Sequence, residues 1–137
     1  MRGRKMKRQV RVLAKSPQGE ALVIRLKSGG RCRWRLPGKV SKSGLSSTAR
    51  QCIENHLGVS FNNERFVPTL TAERGREGVH VATLSLTPED KVAVLAGGHS
   101  GIEVAFVSIS ELLHMDKEQF AERELLYEVV RANTTGR

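Results

Sequence analysis

An α/β sandwich built on a mixed sheet is the fold class this sequence predicts, and three observations carry it. Stretches that alternate apolar and polar residues occupy much of the first 40 residues and recur between residues 65 and 108. Two other stretches, 46–58 and 117–132, instead repeat apolar residues at helical spacing. Helices therefore interrupt and follow the strands, which is how both faces of a sheet become covered. The 137 residues, 39% of them apolar, suffice for one core of ordinary size. A basic N-terminal arm (1–8) and a single domain (9–137) are expected.

Taken in order, "QVRVLAK" (9–15) has the period of a half-buried strand. "SPQGE" places Pro and Gly to reverse the chain, and "ALVIRLK" (21–27) completes a hairpin. In "RCRWRL", alternation puts Arg31, Arg33 and Arg35 on one face of a third strand and Cys32, Trp34 and Leu36 on the other. A Pro37-Gly38 corner and a polar loop follow. "SSTARQCIENHLG" then reads as a helix capped around Ser46–Thr48, with Ala49, Ile53 and Leu57 as its apolar stripe and Gly58 as its stop. "RFVPTLTAER" and "VHVATLSLT" are strands joined by "GREG". "PEDKVAVLAGGHSG" reads as a loop with at most a helical turn, and "IEVAFVSI" as another strand. Ser110 is expected to cap "ELLHM", and Asp116 the last helix, whose Phe120, Leu125, Leu126, Val129 and Val130 suit a core face.

Charge separates the chain into two halves. Residues 1–50 hold 15 Lys/Arg against one acid, Glu20, a net of +14, while residues 51–137 hold 8 against 13, a net of −5. The basic half should seek phosphate, whether on a nucleotide, a nucleic acid or another polyanion. No apolar run approaches the roughly 18 residues that a membrane-spanning helix requires, and no membrane partner is expected. The basic N-terminus lacks the apolar core of a secretory signal. Two cysteines, Cys32 and Cys52, make neither a disulfide framework nor a zinc pattern, so a reducing cytoplasm is the expected setting.

The stretch "RWRLPGKVSKSG" (33–44) joins a strand to a Gly-bearing loop, and a helix follows it. Together with the preceding hairpin, the helix ending at Gly58 and the later "IEVAFVSISELL", it resembles the Nudix superfamily of pyrophosphohydrolases. The resemblance implies a Nudix-like α/β/α sandwich. It also implies a helix whose glutamates hold Mg or Mn against a diphosphate, in the pattern G x(5) E x(7) R E U x E E x G U. Hard cations need such carboxylates to gather several negative charges in one place. Here that box is degenerate. Anchored on Gly58, its Arg-Glu falls on Gln51-Cys52, its apolar residue on Ile53 and its Glu pair on Asn55-His56. Anchored instead on Arg50, only Glu54 matches an acid. Gly44 is followed by Leu45, where the family has a longer spacer and a Glu.

Other acids fit no better. "AERELLYE" (121–128) echoes the box without its glycines and reads as a solvated charged face. Glu73, Glu77 or Glu103 could each supply one distant carboxylate. Cys52 and His56, four residues apart, make only two ligands of a soft-metal site, and Cys52 suits burial better. The candidate catalytic residues are thus Glu54 and Glu103, and no metal ligand set is expected. The candidate phosphate-binding residues are Arg33, Arg35, Gly38, Lys39 and Lys42. Arg2, Arg4, Lys5, Lys7 and Arg8 are the candidate nucleic-acid contacts.

The leading expectation is a domain of this fold that binds a nucleotide-like diphosphate or a nucleic-acid backbone without canonical hydrolysis. It needs no cofactor. A divergent hydrolase, with Mg or Mn as its cofactor, and a non-catalytic protein-interaction scaffold are the alternatives. Four Phe, one Trp and one Tyr make an extended base-stacking platform unlike this chain.

Overall fold

The computed structural model describes residues 7–26, 33–41, 44–74, 77–97 and 101–135. Strands β1 (Lys7–Lys15) and β2 (Glu20–Leu26) form the expected antiparallel hairpin. Its turn closes on Ser16, whose Oγ accepts the N–H groups of Gln18 and Glu20 at 3.3 and 3.2 Å. Gly19 takes the left-handed conformation there, at φ 79. Strand β3 (Gly38–Val40) runs antiparallel beside β1. A second hairpin, β4 (Phe66–Arg74) and β5 (Glu77–Ser85), lies so that β5 is parallel to β1. Strand β6 (Ile102–Ser108) adds to β2, giving the order β4-β5-β1-β2-β6 with β3 against β1. One parallel pair among antiparallel ones makes the sheet mixed.

Alternation along β1 builds two cores. Val10, Val12 and Ala14 face one side with Ala49, Ile53 and Leu57 of helix α1 (Leu45–Leu57) and Val94 of helix α2 (Pro88–Gly97). Leu13 faces the other with Leu112 of α3 (Ile109–His114) and Leu125, Leu126 and Val129 of α4 (Arg123–Thr135). The architecture is α/β/α, and the predicted apolar stripes of α1 and α4 are the buried ones. No helix of the described residues is long and apolar enough to cross a membrane.

Several local expectations change. Arg31 and Cys32 lie outside the described residues, and the described part of "RCRWRL", residues 33–36, forms no regular strand: Arg35 bridges Ile24 and Trp34 bridges Phe120 as isolated pairs, and regular pairing starts only at Gly38. Strand β1 begins at Lys7, two residues before the expected position 9, so Lys7 and Arg8 belong to the sheet, with Lys7 opposite Glu77 and Arg8 opposite Gly78. Helix α1 begins at Leu45, with Gly44 as its N-cap and no side-chain cap. The cap of α3 is Ser108, whose Oγ accepts from the Glu111 N–H at 3.0 Å, and not Ser110. Asp116 caps only a tight turn, accepting from the N–H groups of Glu118 and Gln119. Helix α4 begins seven residues later, at Arg123.

The segment expected as a loop is the ten-residue helix α2. Thr87 and Asp90 cap it reciprocally: Asp90 Oδ2 accepts the Thr87 N–H at 2.9 Å and Thr87 Oγ1 accepts the Asp90 N–H at 3.1 Å. Pro88 takes the first helical position, where a missing N–H costs nothing. Burial alone would raise the Asp90 carboxyl. Hydrogen bonds from Arg65 and Thr87, with the Arg65 charge, outweigh it and hold the group below its ordinary 3.8. A depressed folded value means that the stabilisation is complete at neutral pH and is lost as pH falls through that folded value. Asp90→Asn should therefore cost about 1 kcal/mol near pH 7. Urea midpoints of wild type and variant should converge in strong acid. A gap that persisted there would refute the charge assignment.

Candidate phosphate-binding site

The corner Leu36-Pro37-Gly38 is held from three sides. The Pro37 carbonyl accepts from the Val12 N–H at 2.8 Å, and Arg35 and Ile24 exchange two backbone bonds at 2.9 Å. From the face carrying α4, Glu122 reaches in. Its Oε1 accepts the Leu36 N–H at 2.9 Å, and its Oε2 accepts from Arg11 Nε at 3.1 Å. Arg11 also donates to Gln9 Oε1 at 2.7 Å and to the Val10 carbonyl at 3.2 Å. Its guanidinium lies across Gly38 so closely that a Cβ there would sit 2.5 Å from Arg11 Nη1 and 2.7 Å from the Val10 oxygen. Glycine is required here for space, since Gly38 is not among the positive-φ glycines.

Beyond the corner, the register sends Lys39 to the α1 face, opposite Val10. Arg35 bridges Ile24 and takes the same face. Both act on Cys52 of α1. Burial pushes the Cys52 thiol up to about 11, against the pull of Lys39, Arg11 and Arg35. Cys52 is 1% exposed, so it is an inert packing residue with cations nearby. Thr48, one turn earlier, is also buried, with its Oγ1 3.5 Å from Ser41 Oγ. Arg33 does not join this group: its Nη1 donates to the Lys117 carbonyl at 3.2 Å. Lys42, Arg2, Arg4 and Lys5 lie outside the described residues, and Lys7 is described only as backbone.

The two candidate catalytic acids are not brought together. Glu54 lines an open groove of about 800 Å³ beside α1, together with Arg50, Ser60 and Asn63. It accepts from Ser60 Oγ at 2.8 Å and from Arg50 at 3.0 Å, and these bonds lower its carboxyl from the ordinary value. Glu103 belongs to the opposite face of the sheet. Its β6 neighbours on either side, Ile102 and Val104, alternate with it, and Val104 packs under α1. It is ion-paired with Arg25, whose guanidinium stacks over Trp34 at 4.1 Å. The sheet lies between the two carboxylates. Among the described residues no three His, Cys, Asp or Glu side chains gather as a metal set.

No protein-family model matches this sequence, and no curated protein matches it. Solved structures do. A MutT/Nudix family protein from Listeria innocua superposes with a TM-score of 0.72 at 13% identity, over 96% of each chain. MutT from Methanosarcina mazei Go1 gives 0.61 at 19% identity, over 98% of this chain and all of that one. The C-terminal domain of mouse MUTYH, solved in complex with human PCNA, gives 0.61 at 13% identity over 91% and 89%. The fold is that of the Nudix superfamily. At such identities the likeness is one of fold. The Pro-Gly corner, the helix and its closing glycine follow one another in the order read from sequence, with the strand beginning at Gly38 and not before the corner. Gly58 ends α1 in the left-handed conformation at φ 73, donating to the Glu54 carbonyl at 2.8 Å.

Three residues of this region escape sequence reasoning. Glu122 looks like part of a solvated helix face, but it lies before α4 begins and turns inward. Arg11 looks like any exposed position of an alternating strand. His80 sits in β5 with Arg8 Nη1 3.4 Å from its Nε2 and Thr71 Oγ1 3.0 Å from its Nδ1. A glycine beside an arginine-bearing strand was the one available signal for Arg11, and the other two had none.

Proposed function

We propose that this Nudix-fold domain binds a nucleotide-like diphosphate or a nucleic-acid backbone through the cations of the α1 face, without metal-centred hydrolysis. The observation that carries the reading is the register: Lys39, opposite Val10, and Arg35, bridged to Ile24, take the sheet face on which α1 packs, the helix where the resemblance expects carboxylates. The αL turn at Gly58 supports the register in which Cys52, Asn55 and His56 stand at the acidic positions of the box and Gln51 at its arginine.

Mg or Mn is the metal that the fold family implies, and the residues do not fit it. A hard dication takes about six oxygen ligands, with carboxylates prominent among them. Helix α1 offers Glu54 alone, already engaged by Arg50 and Ser60. Charge-assisted bonds from Lys and Arg hold phosphate directly but generate no hydroxide.

The test pairs two measurements. Calorimetric titration with a nucleoside diphosphate and with a short oligonucleotide should detect binding that weakens as salt rises. Incubation of the same protein with Mg or Mn and a panel of nucleoside diphosphate derivatives should give no turnover. Turnover lost in Glu54→Gln would replace this reading with a divergent hydrolase. A second reading, a protein-interaction scaffold, draws support from the MUTYH domain, which was solved bound to another protein.

A further inference from the structure

Helices α3 and α4 cover the sheet face opposite α1. A pocket of about 250 Å³ opens there, lined by Leu113 of α3 and by Arg123, Glu124 and Tyr127 of α4. Arg123 and Tyr127 stand four residues apart and so share one side of the helix. Arg123 is the unusual member. Its Nε is shielded from solvent, yet no protein group accepts its hydrogen bond. Among the described residues it is the only buried side-chain nitrogen or oxygen in that condition. The acids on either side of it in sequence are committed elsewhere. Glu122 accepts from the Leu36 N–H and from Arg11, and Glu124 pairs with Lys117 at 3.1 Å. Native proteins leave few buried donors unsatisfied, because the lost hydration then goes uncompensated. An acceptor delivered into the adjoining pocket would supply what the fold does not.

The lining selects the guest. Lys117 balances the charge of Glu124, so the unmatched charge at the pocket is the single positive one of Arg123, which suits a monoanion. A carboxylate can take the guanidinium side-on, with one oxygen on Nε and the other on a terminal nitrogen. A phosphate dianion would instead bring a second negative charge beside Glu124. Leu113, packed against the core and partly buried, and the exposed Tyr127 ring present apolar surface to the rest of the guest. The volume lies below the roughly 300–1,000 Å³ of drug-sized sites, so the guest is small. We propose that this pocket binds a small monocarboxylate with an aromatic or aliphatic body, its carboxylate on Arg123 and its body between Leu113 and Tyr127. Because Nε is covered in the free protein, the guanidinium turns toward the pocket as the guest enters. The site is independent of the cations on the α1 face, and the phosphate-binding reading stands or falls without it.

Tyr127 is the only tyrosine of the chain, so labelling with 3-fluorotyrosine places a single fluorine resonance at the pocket. Titration with benzoate should shift that resonance saturably, with a Kd of about 1 mM or tighter. Benzamide has the shape without the charge, and acetate has the charge without the body. Each should bind at least about tenfold more weakly than benzoate, and inorganic phosphate should not displace it. Arg123→Gln should weaken benzoate by about tenfold or more. Arg123→Met separates a ligand anchor from a structural group. Removing an unpaired buried donor should leave the free protein melting at the wild-type temperature or higher, while benzoate binding is lost. The absence of a saturable shift below about 10 mM benzoate would overturn the proposal. So would equal binding of benzamide, displacement by phosphate, or full benzoate affinity in Arg123→Gln. An Arg123→Met protein that melts below wild type would overturn it too, by making Arg123 part of the scaffold.

Discussion

Gly38→Ala is expected to lower the stability of the protein by about 2 kcal/mol, the usual cost of forcing a methyl group into a filled site. The added Cβ would meet Arg11 Nη1 at 2.5 Å, Arg11 Cδ at 2.6 Å and the Val10 carbonyl at 2.7 Å. The first two atoms belong to a flexible side chain, but the third is the backbone of the central strand. Arg11 cannot simply swing aside either, because Glu122, Gln9 and the Val10 oxygen all hold it. Either β3 moves off β1, losing the pairing of Gly38 with Arg11, or Arg11 leaves Glu122. Gly44 is the matched comparison, since a Cβ there meets nothing within 4 Å. Urea unfolding of both alanine variants reads the difference directly. A Gly38 variant as stable as wild type would mean that the corner tolerates side chains and that its glycine serves something other than close approach.

The same corner shows why some of this molecule is legible in sequence and some is not. Period-two alternation reports burial on one face, so β1, β2, β4, β5 and β6 are all readable, as is the stripe of α1. In "RCRWRL" alternation misleads. Trp34 and Leu36 do pack together on the α4 face, but Trp34 and Arg35 find only single bridging partners, so the pattern records sidedness without a ladder. Helix α2 was hidden for the opposite reason. Its Val94 alone among the described residues is fully buried, so it has almost no periodic stripe. Its helical signal is instead local, in Thr87-Pro88-Glu89-Asp90, a capping box with proline at the first position. Caps also depend on where a helix begins, and for α1 and α3 that boundary lay a few residues from where hydroxyl residues invited it. For the site, the Pro-Gly corner and Lys39 could be singled out from sequence because a turn and a basic residue follow each other. The pairing of Arg11 with Glu122 spans 111 positions and leaves no trace in local pattern.

Glu122→Ala should be the costliest single change near this site, at about 3 kcal/mol. Two losses combine. The Leu36 N–H, in a residue 2% exposed, loses the carboxylate oxygen that accepts it at 2.9 Å. A buried N–H without an acceptor costs about 1–3 kcal/mol. Arg11 loses its ion-pair partner while its side chain remains 21% exposed. Full burial of that charge would place the cost at about 3–5 kcal/mol; water reaching both partners reduces it, and Gln9 and the Val10 oxygen still accept from the guanidinium. Glu122→Gln separates the two parts. Its amide oxygen can still accept from Leu36, so only the charge is lost and the cost should fall to about 1 kcal/mol. Thermal or urea unfolding of the two variants should therefore give the alanine penalty at least twice the glutamine one. Equal penalties would assign the whole effect to the ion pair, and a negligible alanine penalty would mean that water replaces the carboxylate at Leu36. Lys39 follows Gly38 directly, so a corner released by Glu122→Ala should also weaken phosphate binding, although no residue proposed to touch the ligand has changed. Full affinity in a measurably destabilised Glu122→Ala protein would show that the corner positions the strand and not the ligand.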